Sequence, residues 1–579
     1  MTDASATGGE GFLRRHVFAW SLAAAVPLLL AACAGETGGM SAQGDSKHRA
    51  MAMEWSGSGA YLAGRFAQTH NDSAAASLYL LQALKADPEN GELLQRAMMS
   101  LASNNHLAES AVLGRRLLTY DADAALAAML VAEQDAHAGH WSDAEDRVAK
   151  LPRRGINSAI VPLIIAWSRM GDGHVDAALE ALKPLSQNSS FVSVYDFHAA
   201  LINDLADRNK AADERYRAIL STPTGASLRT LQAALSFYRR TNQPEKVKEL
   251  MEVARKDHPE AFEILGNASN ERLVNSATAG LAEAYFSASV TLCQPQTAEL
   301  SLIFGRMALD LYPNLPACQV LVADILQSMG RLKEANAIYA AIDPATPIHW
   351  ATQLRLASNL DALGDLDGAV AALEAMTAQH PDRPDALITI GDLQRSHQHW
   401  AESAEAYSRA IALMSPLKPG DWSLIYSRGI AYERSNQWPL AEADFLKALE
   451  LQPDEPHVLN YLGYSWIDKG MNLDRAQKMI NKAVEQLPED GDIIDSQGWA
   501  YYRLGNYRSA VETLQRAVEL HPEESTINEH LGDALWMVGR KEEARYQWQR
   551  ALSFNPEPDQ KIALEKKLKT GLKAPTPVK

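Results

Sequence analysis

Two pairs of histidines have a spacing in this 579-residue sequence that could support metal chemistry. His397 and His399 flank one predicted turn, and His137 and His140 lie beside another. Imidazole is a common zinc ligand, but the sequence contains no H-E-x-x-H zinc helix, no Gly-rich phosphate loop and no Gly-x-Ser-x-Gly elbow. We therefore predict no catalytic residue, no metal and no cofactor, and hence a protein that is not an enzyme.

One acidic cluster and two cysteines are the other groups that could carry chemistry. Asp490, Asp492 and Asp495 cluster at a predicted helix start, where carboxylates offset the helix dipole, so capping is favoured over a calcium or acid/base role. Cys293 and Cys318 are predicted to lie about 13 Å apart along neighbouring helices, at about 1.5 Å per residue. That separation is too large for a disulfide, and we predict two buried thiols. Pairing stays open, because the repeat pattern is weakest near Cys293.

The first residues have the order of a secretory signal. Arg14 and Arg15 precede an apolar run over Val17–Ala32, which is shorter than the ~20 residues that span a bilayer. Leu30–Cys33 reads Leu-Ala-Ala-Cys and resembles a bacterial lipobox, which implies cleavage before the cysteine and its lipidation. Ala34 stands where an aspartate would resemble an inner-membrane retention signal. The resemblance therefore implies an outer-membrane lipoprotein facing the periplasm; an uncleaved membrane anchor is the alternative.

The amino-acid composition excludes several classes of protein for the residues that follow the signal. Apolar residues make up 46% and charged residues 22%, which excludes a mainly disordered or collagen-like protein. The net charge is −17, and no basic stripe with interleaved aromatic residues occurs, so we predict no nucleic-acid binding. Alanine and leucine are abundant, which favours helices.

A glycine recurs near the C-terminus, at Gly429, Gly463, Gly498 and Gly532, in steps of 34, 35 and 34 residues. Each glycine is followed by small, large apolar, small and proline positions. After Gly498 these positions are Ala510, Leu514, Ala517 and Pro522. Gly64 starts the same series near the N-terminus, and more degenerate copies fill the sequence between.

This pattern resembles the tetratricopeptide repeat, a 34-residue pair of antiparallel helices called A and B. Small residues are needed where A and B nearly touch, and proline ends helix B. The resemblance implies an all-α, right-handed α-solenoid of about fourteen repeats in two halves. The predicted organisation is a lipoprotein signal peptide (1–32), a lipidated cysteine and flexible tether (33–56), an N-terminal repeat array (57–260), a joint (261–281), a C-terminal array (282–558), and a capping helix with a basic tail (559–579). A divergent repeat is the alternative to the joint.

With no reaction chemistry, function is expected to lie in a surface. In tetratricopeptide proteins, helix A positions on either side of the small residue tend to line a concave groove. A mixture of aromatic, amide and charged side chains there suits an extended peptide or a partner helix. The predicted groove residues, which could instead be solvated or packed against the next helix, are Tyr426, Glu433, Arg434, Asn460, Tyr464, Asp495, Trp499, Tyr502, Arg503, Glu529, Asp533 and Trp536.

The lipobox, the repeats and the C-terminal segments together are more specific than a generic repeat. The segments are Asn460–Tyr464, Asp495–Trp499 and His530–Trp536. They resemble a proteobacterial family of outer-membrane tetratricopeptide lipoproteins, one of which is the binding partner of a periplasmic C-terminal processing protease. The resemblance implies a membrane-anchored adaptor that delivers peptidoglycan hydrolases to the protease. A scaffold for assembly or export of outer-membrane proteins, pili or polysaccharide is the alternative.

Overall fold

A computed structural model describes residues 56–70, 72–221, 227–257, 262–266 and 270–572 of the chain. Every regular element in these residues is a helix. The α-helices before residue 270 are α1 (Gly57–Thr69), α2 (Ser73–Ala86), α3 (Gly91–Ser103), α4 (Leu107–Leu117), α5 (Ala125–His137), α6 (Trp141–Ala149), α7 (Asn157–Gly171), α8 (Val175–Ser186), α9 (Val192–Leu205), α10 (Asn209–Leu220), α11 (Leu228–Arg240), α12 (Pro244–Asp257) and α13 (Phe262–Gly266). Those that follow are α14 (Ala277–Thr291), α15 (Ala298–Leu311), α16 (Pro316–Ser328), α17 (Leu332–Ala341), α18 (His349–Ala362), α19 (Leu366–Gln379), α20 (Asp385–Ser396), α21 (Trp400–Leu413), α22 (Trp422–Arg434), α23 (Trp438–Leu451), α24 (Pro456–Lys469), α25 (Leu473–Gln486), α26 (Gly491–Arg503), α27 (Tyr507–Leu520), α28 (Ser525–Met537), α29 (Lys541–Ser553) and α30 (Pro558–Thr570).

The helices form A and B pairs, from α1 with α2 to α11 with α12 and then from α14 with α15 to α28 with α29. Most turns between A and B hold one residue with a positive φ, a conformation that glycine, asparagine and aspartate tolerate best. These residues recur 34 residues apart over long stretches, even where the sequence repeat is degenerate. Two such series are Asn105, Gly139, Gly173 and Asp207, and Gly330, Gly364 and Gln398.

The repeated glycines lie where helices A and B approach most closely. A Cβ at Gly498 would lie 2.5 Å from Leu514 Cγ, and one at Gly532 would lie 2.5 Å from the Trp548 ring. No side chain fits there without moving the neighbouring helix. The large residue 16 positions after the glycine, or 17 after Gly463, therefore packs on bare backbone, as the repeat pattern predicts. The fold is an all-α tetratricopeptide α-solenoid, as predicted.

The chain divides into two compact units between Leu373 and Glu374. This boundary differs from the predicted joint at 261–281, because α14 and α15 pack within the first unit. Within the range predicted as a joint, the described residues 270–276 hold no helix, and α14 begins at Ala277.

In the first unit, the chain packs against the A helices of its own early repeats. Helix α14 contacts α7 and α9, and α15 contacts α3 and α5. Gly280 lies directly beneath the Trp167 ring, and Tyr285 Oη donates to the Met129 carbonyl at 3.4 Å. Glu283, which is 1% exposed, accepts hydrogen bonds of 2.9 and 2.6 Å from Arg229. The A-helix face of α3 to α9, the face that lines the groove in such solenoids, is therefore covered by the chain's own helices.

In the second unit, successive pairs from α20 with α21 to α28 with α29 stack on their neighbours, and α30 packs on α29. Helix α30 corresponds to the predicted capping helix. Of the two cysteines, Cys318 is buried as predicted, whereas Cys293 is exposed, which corrects the prediction of a buried thiol; both are free. None of the helices in the described residues has the length and apolar character to cross a bilayer. Cys33, the signal peptide and the last residues of the tail lie outside the described residues.

Candidate protein-binding surface

The predicted groove residues lie along the A helices α22, α24, α26 and α28 of the second unit, at equivalent positions around each repeated glycine. Most of them are buried between neighbouring helices. The buried members are Asn460, Tyr464, Asp495, Trp499, Tyr502, Glu529 and Asp533. The half-buried members are Tyr426, Glu433, Arg434, Arg503 and Trp536.

One buried cluster joins α26 to α28. Asp495 accepts from His530 Nδ1 at 2.9 and 3.0 Å, and neither side chain is exposed by more than 2%. The Trp499 ring stacks on His530 with centroids 4.0 Å apart and on Tyr502 at 4.7 Å. Burial lowers the pKa of His530, but the carboxylates of Asp495, Glu529 and Asp533 together outweigh burial and raise the pKa above its ordinary value. These side chains hold neighbouring A helices together, so a partner could reach them only if the helices separated.

The capping helix α30 covers the predicted residues of the last repeat. Lys567 Nζ donates to Glu529 at 2.6 Å and to Asp533 at 2.7 Å, and Gln560 donates to Glu529 at 2.8 Å. Burial disfavours the charge on Lys567, but the two carboxylates outweigh it and raise its pKa. Trp536 Nε1 donates to the Leu572 carbonyl at 2.9 Å. These groups stabilise the end of the array.

The charged side chains that keep access to solvent lie at the C-terminal ends of α22, α24 and α26. We call Glu433, Arg434, Asp468, Lys469 and Arg503 the charged row. Lys469 Nζ lies 3.6 Å from Glu433, and Arg503 donates to Asp468, including its carbonyl at 2.8 Å. Their side chains are between 14% and 42% exposed.

Aromatic rings support this row. Lys469 Nζ lies 4.9 Å from the centre of the Trp438 ring, and the Arg434 guanidinium lies 5.7 Å from that of Trp400. Cation–π contact and the negative ends of the A helices both stabilise the basic side chains there. Each exposed ion pair stabilises the fold by only about 0.2–1 kcal/mol. The charged row can therefore exchange its internal ion pairs for ion pairs with a partner. Asp468 and Lys469 lie outside the predicted set; their place in the last turn of a helix that lines the groove is the signal that could have found them.

The histidines and the aspartate that could bind a metal by their spacing have different surroundings in the structure. His397 and His399 flank Gln398, which has a φ of 63°, and their rings lie 6.3 Å apart. Asp490 caps α26 by accepting from the backbone N–H groups of residues 492 and 493, which confirms the capping interpretation for that carboxylate. His140 is exposed, whereas His137 Nδ1 lies 3.0 Å from Asp310 of α15.

The tetratricopeptide repeat family matches residues 354–421 and 496–557 of the chain. TPR repeat-containing protein PA4667 of Pseudomonas aeruginosa is 31% identical over 192 residues, which are 32% of this chain and 32% of that protein. BBSome complex member BBS4 of Bos taurus is 33% identical over 112 residues, or 19% of this chain and 20% of that protein. The chain thus spans a third or less of the length of these curated relatives. The crystal structure of the APC/C hetero-tetramer Cut9-Hcn1 has 14% identity and a TM-score of 0.36, covering 89% of this chain and 96% of that one.

The repeat match and the paired helices together define the class of protein. Tetratricopeptide arrays bind proteins or peptides and are generally not catalytic. The array therefore indicates a protein-binding scaffold.

Proposed function

We propose that this chain is a lipid-anchored periplasmic adaptor. Lipidated Cys33 holds it at the outer membrane, and its repeats recruit a C-terminal processing protease and deliver peptidoglycan hydrolases to that protease. The anchor and partner classes rest on the lipobox and on the C-terminal sequence resemblance. The observation that carries the binding role is the charged row, because it is a half-exposed charged surface on three consecutive A helices.

The A helices of the early repeats and of the last repeat are covered, which favours a binding surface elsewhere on the array. In the first unit, α14 and α15 lie on the A helices where a ligand of a tetratricopeptide groove would lie. In the last repeat, Lys567 and Gln560 of α30 both donate hydrogen bonds to the Glu529 carboxylate of α28. The ends of α22, α24 and α26 keep exposed charges, so partner binding is assigned to them.

The charges of the row define the partner's chemistry. Arg434, Lys469 and Arg503 alternate with Glu433 and Asp468, so a complementary partner carries both acidic and basic side chains along an extended segment or a helix. Since each exposed ion pair contributes little, affinity depends on several pairs at once and weakens as salt rises.

A pull-down from mild detergent, with mass spectrometry of what co-purifies, tests this proposal on the full-length, tagged and membrane-anchored protein. The test variant is Lys469→Glu with Arg503→Glu. The control is Lys482→Glu, which reverses the charge of a more exposed lysine on the B helix α25, where it pairs with Asp454 at 2.5 Å. We expect a processing protease and cell-wall hydrolases with the wild-type chain and the control, and their loss with the double variant.

Two outcomes would contradict the proposal. Recovery of export, pilus or outer-membrane assembly components instead would establish the scaffold alternative. Equal recovery of protease and hydrolases with the double variant would show that the charged row is not the binding surface.

A further inference from the structure

A buried carboxylate in the first unit lacks the partners that its burial requires. Glu133 lies on α5 with no exposed surface, and its Oε1 has no hydrogen-bond partner. Its other oxygen accepts from the Gln134 amide at 2.8 Å. Buried polar atoms are satisfied in the great majority of cases, so an unpaired carboxylate oxygen calls for a physical explanation.

Two further ligand groups converge on Glu133. His137 follows it by four residues and lies on the same face of α5. Asp310 approaches from the last turn of α15, with its Oδ2 3.0 Å from His137 Nδ1. One nitrogen or oxygen atom from each of the three side chains lies within 4.8 Å of the other two. Ligands that each stand about 2.0–2.2 Å from one ion lie at most about 4.4 Å apart, so binding requires only a small inward movement of these side chains.

The cluster lies at the C-terminal ends of two helices. Helix α5 ends at His137 and α15 ends at Leu311, so the negative ends of two helix dipoles lie beside the carboxyl groups of Glu133 and Asp310.

The cluster is also oriented and accessible. The Gln134 amide donates to Asp310 at 3.2 Å as well as to Glu133, so one side chain positions both carboxylates. Such outer-shell hydrogen bonds are usual around metal ligands. The His137 side chain is 51% exposed and that of Asp310 is 36% exposed, so two of the three ligand side chains reach solvent.

We propose that Glu133, His137 and Asp310 bind a divalent cation of the zinc class. One imidazole and two carboxylates are a ligand set that zinc accepts, with water completing the coordination. The ion would join α5 to α15 and so fix the returning helices on the early repeats. This inference does not depend on the identity of the adaptor's partners.

Isothermal titration of the chelator-treated full-length chain with Zn²⁺, alongside visible absorption with Co²⁺, tests the site. We expect one Zn²⁺ per chain and a higher melting temperature when the ion is bound. Glu133→Gln keeps the shape of the side chain but removes a ligand, and we expect at least about a 100-fold loss of affinity, the upper end of what losing an outer-shell partner costs.

The matched pair His137→Ala and His140→Ala guards against misfolding and against adventitious surface binding. Both histidines are exposed and three residues apart, so neither substitution is expected to unfold the chain. His137→Ala should lose the Zn²⁺ site and the Co²⁺ absorption, whereas His140→Ala should keep both. Absence of stoichiometric binding, or equal binding by both histidine variants, would overturn the proposal.

Discussion

The ion pair between Arg229 and Glu283 can be tested by Arg229→Met. Glu283 lies on α14 and is 1% exposed, and both its oxygens accept from Arg229 of α11 at 2.6 and 2.9 Å. Methionine replaces most of the volume of the arginine stem but none of its charge. The variant therefore leaves the buried Glu283 carboxylate of α14 without its principal counter-charge.

Two independent limits give the free-energy cost of Arg229→Met. Removing one partner of a buried ion pair costs about 3–5 kcal/mol. An isolated carboxyl can instead take up a proton, which costs about 1.36 kcal/mol for each pH unit above about 4.3, or roughly 3.7 kcal/mol at pH 7. The variant takes whichever of these two states costs less free energy, so we expect the stability of the α14 region to fall by about 3–4 kcal/mol at pH 7. That loss should shrink by roughly 2.7 kcal/mol at pH 5, two pH units lower.

Hydrogen exchange is the appropriate assay, because repeat arrays open locally and a single free energy of unfolding is not defined for them. A loss of about 3 kcal/mol corresponds to roughly a 150-fold faster exchange of amides in α14. Amides of α26, in the other unit, serve as the internal control. The double variant Arg229→Met, Glu283→Met should recover most of the protection, since well-packed apolar pairs often replace buried ion pairs without loss.

Two results would refute this reasoning. If the α14 amides of Arg229→Met exchanged at rates within about threefold of the wild-type rates, Arg229 would not be needed to compensate the buried charge of Glu283. If the double variant were as unprotected as the single one, the cause would be lost packing rather than an uncompensated carboxylate.

Three further predictions concern the anchor, the cap and the pH dependence. Cys33→Ser should release the chain from salt-washed membranes with an unchanged circular dichroism spectrum; continued sedimentation would contradict lipidation. Lys567→Met should weaken the α28–α30 contact by about 3–5 kcal/mol in hydrogen exchange, because two buried carboxylates lose their counter-charge, whereas the exposed Lys566→Met should not. Because the pKa of His530 is raised, its contribution to stability is complete below about pH 6.5 and is lost as pH rises through the folded-state value above that. The protection factors of α28 amides, which correct for the intrinsic rise of amide exchange with pH, should therefore fall above pH 6.5 in the wild type but not in His530→Gln; wild-type protection factors that stay constant with pH would exclude this charge.

The repeat architecture was predictable because its causes are local. Glycine at position 498 and leucine 16 residues later are both visible in the sequence, and the close contact that they make is a property of one repeat. The count of about fourteen helix pairs follows from the same spacing. Turn residues with a positive φ, such as Asn105 and Asp207, carry the period through the degenerate half and could have strengthened that assignment.

The candidate surface was only partly predictable, because burial depends on neighbours that the period does not specify. Asp495 occupies a groove position in the pattern, but its burial depends on His530, 35 residues away. Glu529 and Asp533 are covered by Lys567 of a helix outside the repeats. The cluster at Glu133 depends on Asp310, which lies 173 residues after His137, so no local spacing reveals it.

The return of α14 onto the early repeats was missed because a solenoid is expected to contact only its neighbours. One signal was present: α14 carries apolar side chains on all its faces, and a helix of that kind is buried on every side. Leu281, Ala284, Tyr285 and Phe286 are all buried.

This return also determines the order in which the first unit can fold. Tyr285 bonds to a carbonyl 156 residues earlier, and Arg331 bonds to Ser103, 228 residues earlier. Ordinary solenoids can nucleate anywhere and propagate, but contacts at such separations must wait until the later segment has emerged. Until then, the apolar A-helix face around Trp167 lacks its cover, and exposed surface of that kind makes partly folded chains prone to aggregate.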